Sequence, residues 1–363
     1  DQKTGSVKAM YAGSDYLKQQ LNNTTQSTFQ PGSTMKPFGL IGAAQSDVSF
    51  ATLFNGNSPE EFETTPGTFA EVPNALGISW GNINLNQATA NSVNTVFMNV
   101  NEHLTPERYA QIAHDAGISG DIQTDTLYNI LGINSLTVWD LAQGHSTIAN
   151  NGTKNTLHVV DRVLKGDKDM YQPKLDTTKV FDENDCALVQ HAMLGTTQYG
   201  TAAGVASALG RPVAGKSGTA NDETAASSTG YPSHLFSEFM STAVADMPVE
   251  QFPDAIDDGV IGGPDGDWGL GGSKRGSGNS YNNLQQTQPT PSESSSSPSN
   301  SPSPSTEQQQ TPEQTTPTEP SGGNTPEPEP KPSQSTPAPQ PSESPAETPG
   351  GGESGANTQQ NKP

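Results

Sequence analysis

From about Leu284 to Pro363 the chain is built of Pro, Ser, Thr, Glu, Gln and Gly, with almost nothing large and apolar. Such a stretch cannot bury enough surface to offset the entropy of ordering it, so it reads as a disordered tail rather than a domain. Whatever folds must be made from the residues before it. At 363 residues the chain has length for two average domains. Only 30% of it is hydrophobic, however, and more than half of its 30 prolines follow Gln288. Composition argues for one folded unit, then a Gly- and Asp-rich linker with little order over 254–283 and the tail over 284–363.

Acidic residues outnumber basic ones 39 to 17, for a formal net charge of -22. Phosphate binding needs clustered Lys and Arg, so nucleic acid and anionic membrane surfaces are excluded as partners, and the charge reads as a solvated, self-repelling surface. A single cysteine, Cys186, rules out an internal disulfide and is expected to pack as a small apolar side chain. No run approaches the roughly 18 apolar residues of a membrane span. The chain starts at Asp1 rather than Met and shows no signal pattern, which leaves room for an upstream targeting segment. Its six histidines lack the paired spacing of a zinc site, so neither a metal nor another cofactor is expected. No pair of carboxylates stands out for glycosidase work.

Along the chain, Asp1–Gly5 reads as a turn and Ser6–Ala12 alternates like a strand. Gly32 permits a sharp turn, and Ser33 can begin a helix through Phe38, Leu40 and Ile41, because Pro37 falls in a first turn whose N–H groups have no intrahelical partner. Residues 55–82 read as loop or irregular hairpin. Leu85 to Val100 looks helical but interrupted at Asn91-Ser92-Val93-Asn94. Thr105-Pro106, Thr137 with Asp140, and Asp182 with Asp185 each signal a helix start, with stops at Gly117, Asn151-Gly152 and Gly195. Thr156 to Leu164 alternates weakly, and Val213 to Ala220 is extended and small enough for something to approach it closely. Leu235, Phe236, Phe239, Met240, Ala243, Val244 and Met247 have helical spacing, ended by Pro248.

On the helix that starts at Ser33, Lys36 lies three residues on and shares its face. A serine hydroxyl is a weak nucleophile unless a neighbouring base takes its proton, and a lysine can do so only when neutral. Burial and a second cation both lower a lysine pKa, so such a site wants a second lysine, for which Lys216 is the candidate. Taken alone, Ser-x-x-Lys is an ordinary helix start, and Ser92-x-Asn94 is weaker still.

In combination they are specific. Ser33-Thr34-Met35-Lys36, Ser92-Val93-Asn94 and Lys216-Ser217-Gly218-Thr219 occur in the order found in penicillin-binding proteins and class A β-lactamases. Asp1–Val7, Gln30–Phe38, Gln198–Ala202 and Gly210–Asp222 extend the likeness, so that roughly Asp1 to Pro253 resembles the transpeptidase domain of class A, bifunctional penicillin-binding proteins. Lys3-Thr4-Gly5 also spells a Lys-Thr-Gly motif, but it precedes the serine and lies in the opening turn.

The resemblance implies a mixed α/β fold, with helices flanking an antiparallel sheet, and D,D-transpeptidase chemistry on peptidoglycan stem peptides. It implies that Ser33 is the nucleophile and Lys36 its base, that Ser92 with Lys216 relays a proton to the leaving D-alanine, and that Asn94, Ser217, Gly218 and Thr219 bind substrate. The backbone N–H groups of Ser33 and Thr219 would form the oxyanion hole. β-Lactams would acylate Ser33. The setting implied is the cell envelope outside the cytoplasm, in a longer, membrane-anchored protein with an upstream glycosyltransferase domain.

The likeness is incomplete in one respect. The family core is a five-stranded sheet, and here only Ser6–Ala12 and Val213–Ala220 match its strands. After Asp222 the family has an aromatic-rich hairpin, whereas this chain passes through Glu223–Tyr231 directly to Leu235. The sheet is therefore expected to be incomplete. The competing reading is a catalytically impaired or non-catalytic cell-wall surface fragment.

Overall fold

The structure, a computed structural model, describes residues 1–219, 231–270 and 274–275. It is organised around one enclosed helix. Gly32–Met35 form a 3-10 turn that runs straight into α1 (Lys36–Gln45), with Pro37 in its first turn as expected. Met35, Phe38, Leu40, Ile41 and Ala43 are all fully buried, so this segment is covered on every side rather than along one stripe. Helix α1 is followed by β1 (Leu53–Asn55), a hairpin of β2 (Glu60–Thr65) and β3 (Thr68–Val72), and β4 (Asn82–Asn84), which pairs with β1. The hairpin carries Phe62 and Val72 into the core.

Helices α2 (Leu85–Ala90) and α3 (Asn94–Leu104) are the two halves of the interrupted helix. Helix α4 (Pro106–Ala116) starts at the Thr105 cap and ends at Gly117, which takes the left-handed conformation. Helix α5 (Val138–Ala149) opens with a reciprocal cap between Thr137 and Asp140. Next come β5 (Thr153–Asn155), a hairpin of β6 (Val163–Lys165) and β7 (Lys168–Tyr171), and β8 (Thr177–Lys179) paired with β5. Helices α6 (Glu183–Gln198), α7 (Val205–Leu209) and α8 (Tyr231–Ala243) follow, then β9 (Val260–Ile261) and β10 (Lys274–Arg275), which pair with each other. Helices α3, α4 and α6 pack around α1. Cys186 is buried on α6, and burial pushes its thiol up to about 12. Among the described residues no helix is long and apolar enough to cross a membrane.

The fold is mixed α/β and every ladder is antiparallel, but each sheet among the described residues has two strands. Several expected strands do not form. Of Ser6–Ala12 only Ser6 pairs, in a parallel bridge to His158; with no sheet to bury the alternate side chains, Tyr11 stays exposed. Residues 156–164 hold the same bridge and only the start of β6, the pairing strand lying just before them in β5. Val213–Thr219 is extended without a strand partner, and Ala220 lies outside the described residues.

The later helices also differ from expectation. Asp182 caps α6 through the Asn184 N–H instead of pairing with Asp185, and α6 runs past Gly195, which packs against the Tyr199 ring. Helix α8 stops at Ala243 and lies against α7, but the described residues leave none of its side chains fully buried.

The stretch after Gln251, expected to have little order, has little regular structure yet is packed. The Asp257 carboxylate accepts from Ser49 Oγ at 3.0 Å and from the Phe50 N–H at 3.3 Å. Val260 bridges Val48, the Gly262 N–H donates to Thr52 Oγ1, and the buried Trp268 ring stacks on His103 at 4.9 Å. Specific polar contacts do here what apolar content could not. The packing therefore continues past Pro253; of the linker and tail, residues 271–273 and 276–363 lie outside the described residues.

Candidate active site

Three segments far apart in sequence meet at the start of α1. Gly32 has φ of 58°, in the left-handed region, and its N–H donates to Gly132 O. A side chain there would put its Cβ 2.2 Å from Thr219 O, so the turn before Ser33 and the Lys216–Thr219 segment touch backbone to backbone. Gly218 shows the same closeness from the other side, because a Cβ on it would meet Pro31 O at 2.5 Å. Thr34 Oγ1 donates to Pro31 O and closes the turn.

Lys36 is fully buried at the first position of α1. Its Nζ lies 2.7 Å from Ser92 O, 2.8 Å from Asn94 Oδ1 and 3.2 Å from Ser92 Oγ, and 5.1 Å from the centre of the Phe97 ring. The two carbonyl oxygens can only accept. In the neutral amine they take both N–H groups, which leaves the lone pair for a hydroxyl proton. Ser92 sits at φ of 56° in the break between α2 and α3, an unusual conformation for a residue with a side chain. Asn94 opens α3, and its Nδ2 donates to Pro73 O.

Lys216 Nζ donates to Ser92 Oγ at 2.8 Å and to Ser217 O at 3.0 Å. Ser92 Oγ is thus the meeting point of both lysines. Burial lowers the Lys216 pKa to about 7, and burial together with the Lys216 charge holds Lys36 well below the ordinary lysine range. Ser217 Oγ shares a short hydrogen bond with Thr201 Oγ1.

These groups border a cavity of about 750 Å³ lined by Ser33, Ser92, Asn94, Ser217 and Thr219. All eight candidate residues come together: these five line the cavity, Lys36 and Lys216 reach Ser92, and Gly218 lies against Pro31 and Thr34. Lys36 Nζ is turned toward Ser92 and Asn94 rather than hydrogen-bonded to Ser33 Oγ. Among the described residues no His, Cys, Asp or Glu lines the cavity, a donor set unsuited to a metal. Sequence reasoning missed Thr201, Tyr128 and the wall from Val72 through Leu76 to Trp80. Thr201 fell within a segment of family likeness but carried no chemical signature of its own, and the wall lay in what read as loop.

Residues 1–266 match the family model of the penicillin binding protein transpeptidase domain. Penicillin-binding protein 1A of Neisseria flavescens is 30% identical over 231 residues, which cover 61% of this chain and 29% of that protein. Its namesake in Aquifex aeolicus is 25% identical over 224 residues, with 61% and 30% covered. The chain therefore spans under a third of the length of these curated relatives. Among solved structures, the penicillin-binding protein PonA1 of Mycobacterium tuberculosis superposes with a TM-score of 0.62 at 21% identity, covering 72% of this chain and 80% of that one. Penicillin-binding protein 1A of Haemophilus influenzae gives 0.61 at 16% identity, covering 67% and 46%. The chain belongs to the penicillin-binding protein transpeptidase family, as the transpeptidase domain of a class A member.

Proposed function

We propose that this chain is the acyl-transfer part of a D,D-transpeptidase that cross-links peptidoglycan stem peptides through an ester on Ser33. The observation that supports it most is Ser92 Oγ, within 3.2 Å of Lys36 Nζ and 2.8 Å of Lys216 Nζ, beside the cavity that Ser33 lines. Lys36, kept neutral by burial and by its cationic neighbour, takes the Ser33 proton as Oγ attacks the carbonyl between the two terminal D-alanines. The N–H groups of Ser33 and Thr219 hold the oxyanion. The proton then passes through Ser92, beside Lys216, to the departing D-alanine nitrogen. An amine from a neighbouring strand attacks the ester, loses its proton to the same relay and frees Ser33, leaving a new amide as the cross-link. Asn94 holds the substrate's backbone amide. Ser217 and Thr219 hold its carboxylate, and Gly218 lets that segment lie against the turn.

A β-lactam acylates Ser33 in the same way, a reading supported by the PonA1 structure solved with penicillin V, which matches at a TM-score of 0.60. The reaction takes place outside the cytoplasmic membrane, as part of a longer anchored protein with a glycosyltransferase domain. The test is turnover of a D-alanyl thioester with a D-amino acid as acceptor. Acceptor-dependent product should fall at least about a thousandfold in Ser33→Ala and in Lys36→Ala. Product unchanged in Ser33→Ala would overturn the assignment. The second reading, a catalytically impaired or non-catalytic cell-wall fragment, is favoured by the absence, among the described residues, of a strand beside Val213–Thr219; it predicts no product from the unaltered chain.

A further inference from the structure

The turn that carries Ser33 and Lys36 is gripped from outside by two side chains that the reaction scheme leaves idle. His145, on α5, places Nε2 3.0 Å from Thr34 O, and Tyr109, on α4, donates its hydroxyl to Met35 O at 3.0 Å. Successive carbonyls of one 3-10 turn are thus each tied to a different helix. Tyr109 is fully buried, and the His145 ring packs against Phe38 with centroids 5.3 Å apart. Thr34 O can only accept, so the contact at His145 requires a proton on Nε2. Burial lowers the His145 pKa, against the opposing effect of the bond to Thr34 O and with the Lys216 charge acting in the same direction as burial.

We propose that His145 is a positioning residue for the nucleophile: its Nε2–H holds the Thr34 carbonyl and thereby fixes the position of Ser33 Oγ relative to Lys36 and Ser92. The inference rests on Ser33 being the nucleophile. A rigid turn matters because the Ser33 N–H and Oγ must meet the same carbonyl, and a displacement of about 1 Å can cost up to about a hundredfold in rate. Apolar packing alone could hold α1 in place. A directed donor on the Thr34 carbonyl restrains the rotation of the Thr34–Met35 peptide, which begins at the residue next to Ser33.

The experiment follows acylation by a chromogenic cephalosporin, with the binding constant and the acylation rate constant resolved separately. His145→Leu should lower the rate constant about 10- to 100-fold with binding nearly unchanged. His145→Gln, which keeps a donor, should recover most of the loss. Ile112→Val, a core change on α4 away from the turn, serves as a stability control and should leave the rate constant within about twofold. Equal rate constants for His145→Leu and the unaltered chain, or equal losses in the Leu and Gln variants, would overturn the proposal. Nitrogen NMR of the unreacted protein at pH 7.5 tests the contact independently of acylation. A proton on Nε2 is expected, and a neutral ring protonated at Nδ1 alone would overturn the proposal even if Ser33 proved unreactive.

Discussion

The chemistry of the two lysines depends on where each is held. Lys216 has its ordinary pKa of 10.5 lowered to about 7 by burial, and Lys36 is lowered by burial and by Lys216. The sign of the consequence for stability follows. Between about 7 and 10.5 the unfolded chain keeps a proton on Lys216 that the folded chain has released, so stability rises with pH across that window and the cost of the buried charge is greatest below it. In the proposed scheme acylation needs neutral Lys36, so it should be lost as pH falls through the Lys36 pKa. Replacing Lys216 by Gln removes one cause of the Lys36 depression, so the acid limb of the acylation profile should move to higher pH. A pH series of penicillin acylation rates on the Lys216→Gln chain reads this directly, and an unmoved limb would show that the two amines do not interact. Because the pair titrates together, the limbs belong to the pair and not to either residue alone.

At the scale of elements, the segment after Pro253 is held by a few particular contacts. Trp268 is 7% exposed and stacks on His103 at the end of α3, while Asp257 ties the same segment to Ser49 and Phe50. Trp268→Ala should cost about 3 kcal/mol in urea unfolding, near the lower bound for burying and then deleting a large aromatic; a loss under about 0.5 kcal/mol would mean the segment does not support the fold. The sequence did not announce this segment, because Gly and Asp are poor markers of burial and its partners lie about two hundred positions away. Helix starts were legible for the opposite reason. A cap such as Thr137 with Asp140 is local, and its residues are its mechanism. Strands were less legible, since alternation in Ser6–Ala12 states a preference that only a neighbouring strand can satisfy. The candidate residues were named through the resemblance of three ordered motifs to a known family, each motif being weak alone, and Ser33, Lys36, Ser92, Asn94, Lys216 and Thr219 do come together. Thr201, Tyr128, His145 and Tyr109 were not read, because their positions follow from packing alone.

Across the whole molecule, a complete set of chemical groups is mounted on a reduced framework. The helical core around α1 is closely packed, and it fixes Lys36, Ser92 and Asn94. Lys216–Thr219 instead rests on the turn at Pro31–Thr34 and on α6, where the Gly215 N–H donates to Met193 O, with no strand on either side among the described residues. Segments held by few backbone hydrogen bonds open at low free-energy cost, so Lys216–Thr219 is the weakest part of the candidate site and the turn that carries Ser33 its firmest. In the proposed scheme the assembled groups nonetheless make Ser33 reactive. Intact-protein mass spectrometry after exposure to benzylpenicillin measures this. One penicilloyl adduct per chain is expected, mapped to Ser33 and absent from Ser33→Ala; no adduct on the unaltered chain, or an adduct that persists in Ser33→Ala, would show that Ser33 is not the nucleophile.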